Sequence, residues 1–175
     1  MHELDEILVQ ATANIAAEYF QLPIFGGPPV FRERVHCYEL YHQMRCLWPA
    51  DSAYRLGGEV DKQGHFALEQ LGARGEKPDL LVHLPGDMNR NYAIIEVKHT
   101  LALQRGVRKD LKTLTLFRNH LRYQRAIYLV FGNEAADDTV RRVEQCYAKF
   151  QERAEIELWT HTHVGQPARV AHQIN

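Results

Sequence analysis

The sequence is poor in cysteine and has no long apolar run. Its three cysteines, Cys37, Cys46 and Cys146, lack the number and spacing of a disulfide framework, so we expect reduced thiols in a cytosolic protein. No apolar stretch approaches the roughly 18 residues that cross a bilayer, and residues Met1–Glu6 carry acids without an early basic cluster, unlike a signal peptide. The sequence therefore predicts a cytoplasmic protein that has no membrane partner.

A strong net charge is also missing, because the 175 residues carry a formal charge of only −1. The hydrophobic fraction of 45% and the charged fraction of 25% are those of one ordinary domain, so residues 1–175 are interpreted as a single domain. Between Lys98 and Arg125, however, eight lysines and arginines stand against a single acid, Asp110. Such a basic segment is typical of a polyanion-binding surface and equally of a solvated helix face.

Hydrophobic periodicity, together with Pro and Gly breaks, predicts an alternation of helices and strands. Helices are predicted at residues 3–20, 31–47, 108–120 and from a cap at Asp137 or Asp138 to about residue 153. Strands are predicted at residues 53–60, 79–84, 92–98, 126–131 and 155–160. Residues 23–29 are predicted to form a turn-rich connector and residues 61–77 a loop or hairpin, while the tail from Gly165 shows no clear pattern. This order predicts an α/β fold, in which a mixed sheet is flanked by helices.

Charged residues stand at the ends of two consecutive apolar strands. Asp79 opens one strand, and Glu96 and Lys98 close the next. Side chains alternate along a strand, so Glu96 and Lys98 share one face. In an antiparallel hairpin Asp79 lies beside Glu96, and two adjacent carboxylates raise each other's pKa unless a cation neutralises them. A hard divalent ion with oxygen ligands is the expected cation, and Mg²⁺ fits best.

A lysine beside such a metal site predicts phosphodiester hydrolysis. That reaction needs a water nucleophile, stabilisation of the charge developing on phosphate, and help for the leaving oxygen. Lys98 is suited to orienting the attacking water and to offsetting the added negative charge.

The motif Pro78-Asp79, seventeen positions before Glu96-Val97-Lys98, resembles the signature of the PD-(D/E)xK nuclease superfamily. More narrowly, four segments resemble small nuclease-like proteins that are often linked to bacterial restriction or defence loci: residues 31–40, 77–83, 94–98 and 109–112. The resemblance implies a restriction-endonuclease-like fold with an αβββαβ core at residues 30–132. An N-terminal helix and connector would occupy residues 1–29, and a C-terminal helix and strand residues 133–175.

The resemblance also implies roles for individual residues. Asp79 and Glu96 would be metal ligands, joined by the Val97 carbonyl, and Lys98 would be the catalytic lysine. The family often places a glutamate on the helix before the sheet, and here Glu33 fits that place best. Glu39 is the alternative, since residues six apart lie on different faces of a helix.

Basic residues on the helix after the motif would contact the phosphate backbone. The candidates are Lys112, Lys109 and Arg108. Glu59 and Asp61, at the end of the strand predicted at residues 53–60, could also approach the metal site, although a polar strand end explains them better.

The expected function is therefore that of an Mg²⁺-dependent endonuclease acting on DNA, with Mn²⁺ as an alternative metal. RNA or a branched junction is an alternative substrate. A second hypothesis is a non-catalytic subunit that binds nucleic acid or a protein partner within a larger defence or repair system. A chain of this size has little room for a specificity domain, so a homodimer or a larger complex is expected.

Overall fold

A six-stranded mixed sheet forms the centre of the computed structural model, which describes residues 3–59 and 77–175. The strands are β1 Leu22–Ile24, β2 Gly27–Val30, β3 Arg55–Gly58, β4 Leu80–His83, β5 Asn91–His99, β6 Arg125–Phe131, β7 Ile156–His161 and β8 Arg169–Ile174. The helices are α1 Leu4–Ala13, α2 Ala17–Phe20, α3 Glu33–Cys46, α4 Gln104–His120 and α5 Ala136–Tyr147. Strands β3 to β8 lie in the sheet in chain order, while β1 and β2 form a separate hairpin.

The sheet combines an antiparallel meander with parallel strands. Strands β3, β4 and β5 pair antiparallel, β6 and β7 then run parallel to β5, and β8 is antiparallel to β7. The long helix α4 connects β5 to β6, as a parallel pair requires. The predicted α/β architecture, a mixed sheet flanked by helices, is confirmed.

Strand β5 is buried on both faces, which explains its continuous apolar run. Ile95 and Val97 belong to a core cluster with α1 and α3. Ile94 belongs to a second cluster with α4 and α5 on the opposite face. Glu96 and Lys98 alternate with Val97 and therefore point toward the α4 side of the sheet. A polar group in this position is surrounded by core rather than by solvent.

The N-terminal prediction was wrong in two respects. Residues 3–20 form two helices instead of one, with a break at residues 14–16. The Pro- and Gly-rich connector contains the β1–β2 hairpin, in which Gly26 takes a positive φ of 73° at the turn. Prolines argue against strands in the centre of a sheet but are tolerated in an isolated edge pair, so the composition concealed the hairpin.

The C-terminal prediction also needs correction. Helix α5 ends at Tyr147 rather than near residue 153, and Asp137 and Asp138 lie in its first turn instead of capping it. The tail contains β8, whose residues are mostly exposed, so an edge strand of this kind has no apolar alternation to detect.

Helix α4 begins at Gln104, four residues before the predicted start at Arg108. The prediction of a loop or hairpin at residues 61–77 lies outside the described residues, except for Lys77. Within the described ranges, no helix has the length and apolar character needed to span a membrane.

Candidate functional site

The start of β4 and the end of β5 bring two carboxyl groups together. Leu80 is the register partner of Ile95, so Asp79 lies next to Glu96. The Asp79 side chain accepts a hydrogen bond from the Val97 backbone N–H at 2.7 Å, and it shares a hydrogen bond with the Glu96 carboxyl group. The Asp79 carbonyl in turn accepts from the Glu59 N–H at 2.9 Å. Asp79 is therefore fixed through both its backbone and its side chain.

Burial makes this carboxyl pair an unfavourable place for two negative charges. Glu96 is only 5% exposed. Burial, followed by the nearby Asp79 and Asp110 carboxylates, raises the pKa of Glu96 well above its ordinary value. Burial also raises the pKa of Asp79, although the hydrogen bond from Val97 opposes this shift. Both shifts favour a proton or a cation between the two carboxyl groups over two free negative charges.

Lys98 lies between two further carboxylates that come from different helices. Its Nζ is 2.8 Å from Glu33 Oε2, at the first turn of α3, and 2.9 Å from Asp110 Oδ2, on α4. Burial alone would lower the pKa of Lys98, but Asp110 and Glu33 outweigh it and raise the pKa. Lys98 is therefore a cation at neutral pH, and its ammonium group is directed by two fixed partners.

Asp110 is the site residue that sequence reasoning missed. It appeared only as the single acid in the basic segment, yet it is 5% exposed and contacts Lys98. Burial raises the pKa of Asp110 to about 6, while Lys98 opposes the shift. Its signal in the sequence was its position next to Leu111, a core residue. It also stands one turn after Gly106, where a side chain would approach the Lys98 ammonium group.

The structure places the two competing helix glutamates in different environments. Glu33 contacts Lys98, whereas the Glu39 carboxylate accepts a hydrogen bond from Gln43 at 2.6 Å, within its own helix. Glu59 forms an ion pair with Arg34 at 3.3 Å, with both side chains largely exposed. Asp61 lies outside the described residues.

The structure offers few ligands to a divalent cation. Among residues 3–59 and 77–175, no group of three or more His, Cys, Asp or Glu side chains is arranged to hold a metal ion. Mg²⁺ commonly uses only one or two carboxylates, with water and substrate phosphate completing its coordination. Asp79 and Glu96 are two neighbouring carboxyl groups, the number that such a site uses. The Val97 carbonyl stays a predicted ligand, while the Val97 N–H serves Asp79.

A pocket of about 390 Å³ opens beside Asp79. Its lining includes Cys37, the exposed Tyr38, Tyr41 and Glu59. Burial, followed by Asp79 and Glu96, raises the pKa of the Cys37 thiol, which disfavours the reactive thiolate. The pocket gives a ligand access to Asp79 next to aromatic side chains, while Glu96 lies buried behind its lining.

The three residues predicted to bind nucleic acid lie away from this centre. Arg108, Lys109 and Lys112 are exposed, while their neighbour Asp110 is buried. On a helix, residues two positions from Asp110 point to nearly the opposite face. The structure therefore brings together Glu33, Asp79, Glu96 and Lys98, and it leaves the three basic residues on the outer surface of α4.

Comparisons with protein-family models, with curated proteins and with solved structures find no match for this chain.

Proposed function

We propose that this chain is an Mg²⁺-dependent nuclease that hydrolyses phosphodiester bonds in DNA. One observation carries the proposal: a cationic lysine is fixed at the end of a buried strand beside a carboxyl pair that needs a cation. Glu33, Asp79, Glu96, Lys98 and Asp110 come from four separate segments of the chain. The side chains of Glu96, Lys98 and Asp110 are largely buried, and charged groups are expensive to bury together, which favours a chemical role over a structural one.

The order of elements supports a restriction-endonuclease-like core. Helix α3 precedes the β3–β4–β5 meander, and α4 and β6 follow it. Among the described elements, this αβββαβ order is the one that the PD-(D/E)xK resemblance implies, with Asp79 directly before β4 and Glu96 on the adjacent strand β5. Helix α5 and strands β7 and β8 follow this core, and the two strands extend the sheet beyond β6.

Each residue of the site has a distinct proposed task. Asp79 and Glu96 would hold the metal, which would supply Lewis-acid polarisation of the phosphate and activation of a water molecule. Lys98, kept protonated by its two partners, stabilises negative charge on the phosphate and orients the incoming water rather than removing a proton from it. Glu33 and Asp110 hold the ammonium group in position, and Glu33 is exposed enough to accept a hydrogen bond from water.

A cleavage assay on a panel of substrates tests the proposal. Purified protein is incubated with supercoiled plasmid, labelled DNA duplex, single strand, branched junction and RNA, each with Mg²⁺, Mn²⁺ or EDTA. We expect metal-dependent cutting of DNA by the wild-type chain and none by Lys98→Ala. The absence of cutting by folded wild-type protein on every substrate would reject the proposal and favour a non-catalytic binding subunit.

A further inference from the structure

A basic pocket lies between α4 and the turn that follows α5. It has a volume of about 470 Å³, within the usual range of roughly 300–1,000 Å³ for small-ligand sites. Three cations line it: Arg108 and Lys112 from α4, and Lys149 from the turn after α5. Nothing in the sequence pointed to Lys149, because it joins the other two only through the packing of α4 against α5.

The three cations have no acidic partner among the described residues, although acids occur nearby. The pocket contains one carboxylate, Glu152, which is already engaged by His120 Nε2 at 2.8 Å and by Asn119 Nδ2 at 2.9 Å. In a chain with a net charge of −1, three unpaired cations around one cavity form a local positive potential. Such a potential favours a ligand with a negative charge.

One wall of the pocket is aromatic. The Arg108 guanidinium carbon lies over the Phe150 ring, 5.8 Å from its centroid, and Phe150 is partly exposed. The Tyr147 ring packs against Phe150 at a centroid distance of 5.1 Å, so the pair is held in place. A planar guanidinium held on an aromatic ring is a surface on which a nucleic-acid base can stack, with further cations beside it for the phosphate.

We propose that this pocket binds one nucleotide unit of an unpaired DNA strand, with its phosphate against Lys112 and Lys149 and its base against the Arg108–Phe150 pair. A base inside a duplex is stacked and cannot enter a pocket of this kind, so the geometry selects a single-stranded end or junction. This inference rests on the proposed nuclease function for its choice of polymer. A free nucleotide shares the same chemistry and is separated from the strand by the experiment.

The pocket and the proposed cleavage centre lie on opposite sides of α4. Asp110, which contacts Lys98, and the pocket residues Arg108 and Lys112 lie on opposite faces of that helix. The pocket is therefore a binding site separate from the proposed cleavage centre.

The test measures binding without cleavage. A fluorescein-labelled 15-nucleotide single strand and the matching duplex are titrated with protein in EDTA, by fluorescence polarisation, at several salt concentrations. The variants are Lys149→Ala and Phe150→Leu, and Arg169→Ala, an exposed cation on β8, is the matched charge control. Thermal melts confirm that each variant folds, and Lys149→Ala changes an exposed side chain.

We expect Phe150→Leu to weaken single-strand binding about tenfold with little effect on the duplex. Lys149→Ala should lower the single-strand salt slope by about 0.7, while Arg169→Ala should leave it unchanged. Displacement of the strand by dTMP at concentrations near those of the strand would assign the pocket to a free nucleotide. The inference would be overturned if Lys149→Ala and Phe150→Leu bound the single strand with the same affinity as the Arg169→Ala control.

The two proposals fail in different ways. If the nuclease proposal is wrong, wild-type protein cuts nothing in Mg²⁺, yet single-strand binding still depends on Lys149 and Phe150. If the pocket inference is wrong, cutting continues and binding is indifferent to both residues.

Discussion

Lys98 and Asp110 form a buried ion pair that joins the end of β5 to helix α4. The two side chains are 12% and 7% exposed, and Lys98 Nζ lies 2.9 Å from Asp110 Oδ2. The pair links the proposed cleavage centre to the helix that carries the basic pocket on its other face. A shift of α4 would therefore move a partner of the lysine as well as the pocket.

Asp110→Asn should reduce cleavage because it removes one of the two charges that position the Lys98 ammonium. We expect kcat to fall about 10- to 100-fold with little change in KM, since a misplaced catalytic group costs rate rather than binding. Asp110→Glu should recover part of the loss. Steady-state kinetics on a labelled DNA substrate measure both parameters.

Asp137→Asn is the matched control for that experiment, because Asp137 is an exposed acid in the first turn of α5. Its kinetics should equal those of the wild type. A normal kcat in Asp110→Asn would show that Glu33 alone positions Lys98 and would remove Asp110 from the site.

Glu96→Gln should make the metal-free protein more stable at pH 8. Burial raises the pKa of Glu96, so the folded state binds a proton that the unfolded state has released at that pH. This difference lowers the free energy of unfolding as pH rises above the unfolded pKa. Replacing Glu96 by glutamine removes this loss of stability and keeps a hydrogen-bond donor toward Asp79. In EDTA the variant should therefore have a higher Tm than the wild type. A Tm below that of the wild type would indicate a structural role for the carboxylate.

The buried histidine pair should make stability depend on pH in the opposite direction. His36 Nε2 lies 3.5 Å from His161 Nδ1, and both rings are fully buried. Burial lowers the pKa of His161 to about 4, and it lowers the pKa of His36 as well. Between pH 6.5 and 4 the unfolded chain binds more protons than the folded chain, so acid destabilises the fold.

Urea denaturation of wild type and His161→Phe at several pH values measures this effect. Between pH 6.5 and 4, the free energy of unfolding should change with pH less steeply in the variant than in the wild type, by up to about 1.4 kcal/mol per pH unit. Buried acids contribute the opposite slope in both proteins, so the difference isolates the histidine. Identical slopes would contradict the assignment.

Gly132→Ala should destabilise the protein, because Gly132 ends β6 at a φ of +132° against Thr100. A Cβ there would overlap the Thr100 hydroxyl and lie 3.2 Å from its Cβ. Backbone strain and overpacking together should lower the free energy of unfolding by roughly 2–4 kcal/mol. Gly165→Ala is the control, since Gly165 has a φ of +73° in open space. An equal loss in both variants would mean that strain alone matters at Gly132.

Local pattern was sufficient to predict that Asp79 and Glu96 lie side by side, because they belong to one hairpin whose register follows from its apolar strands. Asp110 could not be predicted, since its contact with Lys98 depends on how α4 docks on the sheet. Strand β8 was missed for another reason: it is a solvent-exposed edge, where pairing with β7 replaces apolar alternation. The roles of these residues in catalysis stay predictions.

The most direct test of the nuclease proposal compares initial rates of plasmid cleavage by the wild type and Glu96→Gln in Mg²⁺. Both proteins should be folded, with a Tm for the variant at least equal to that of the wild type. The account predicts cutting by the wild type, its loss in EDTA, and a loss of at least about 100-fold in the variant. Equal rates in the two proteins would contradict the account, because the carboxylate proposed to hold the metal would then be dispensable.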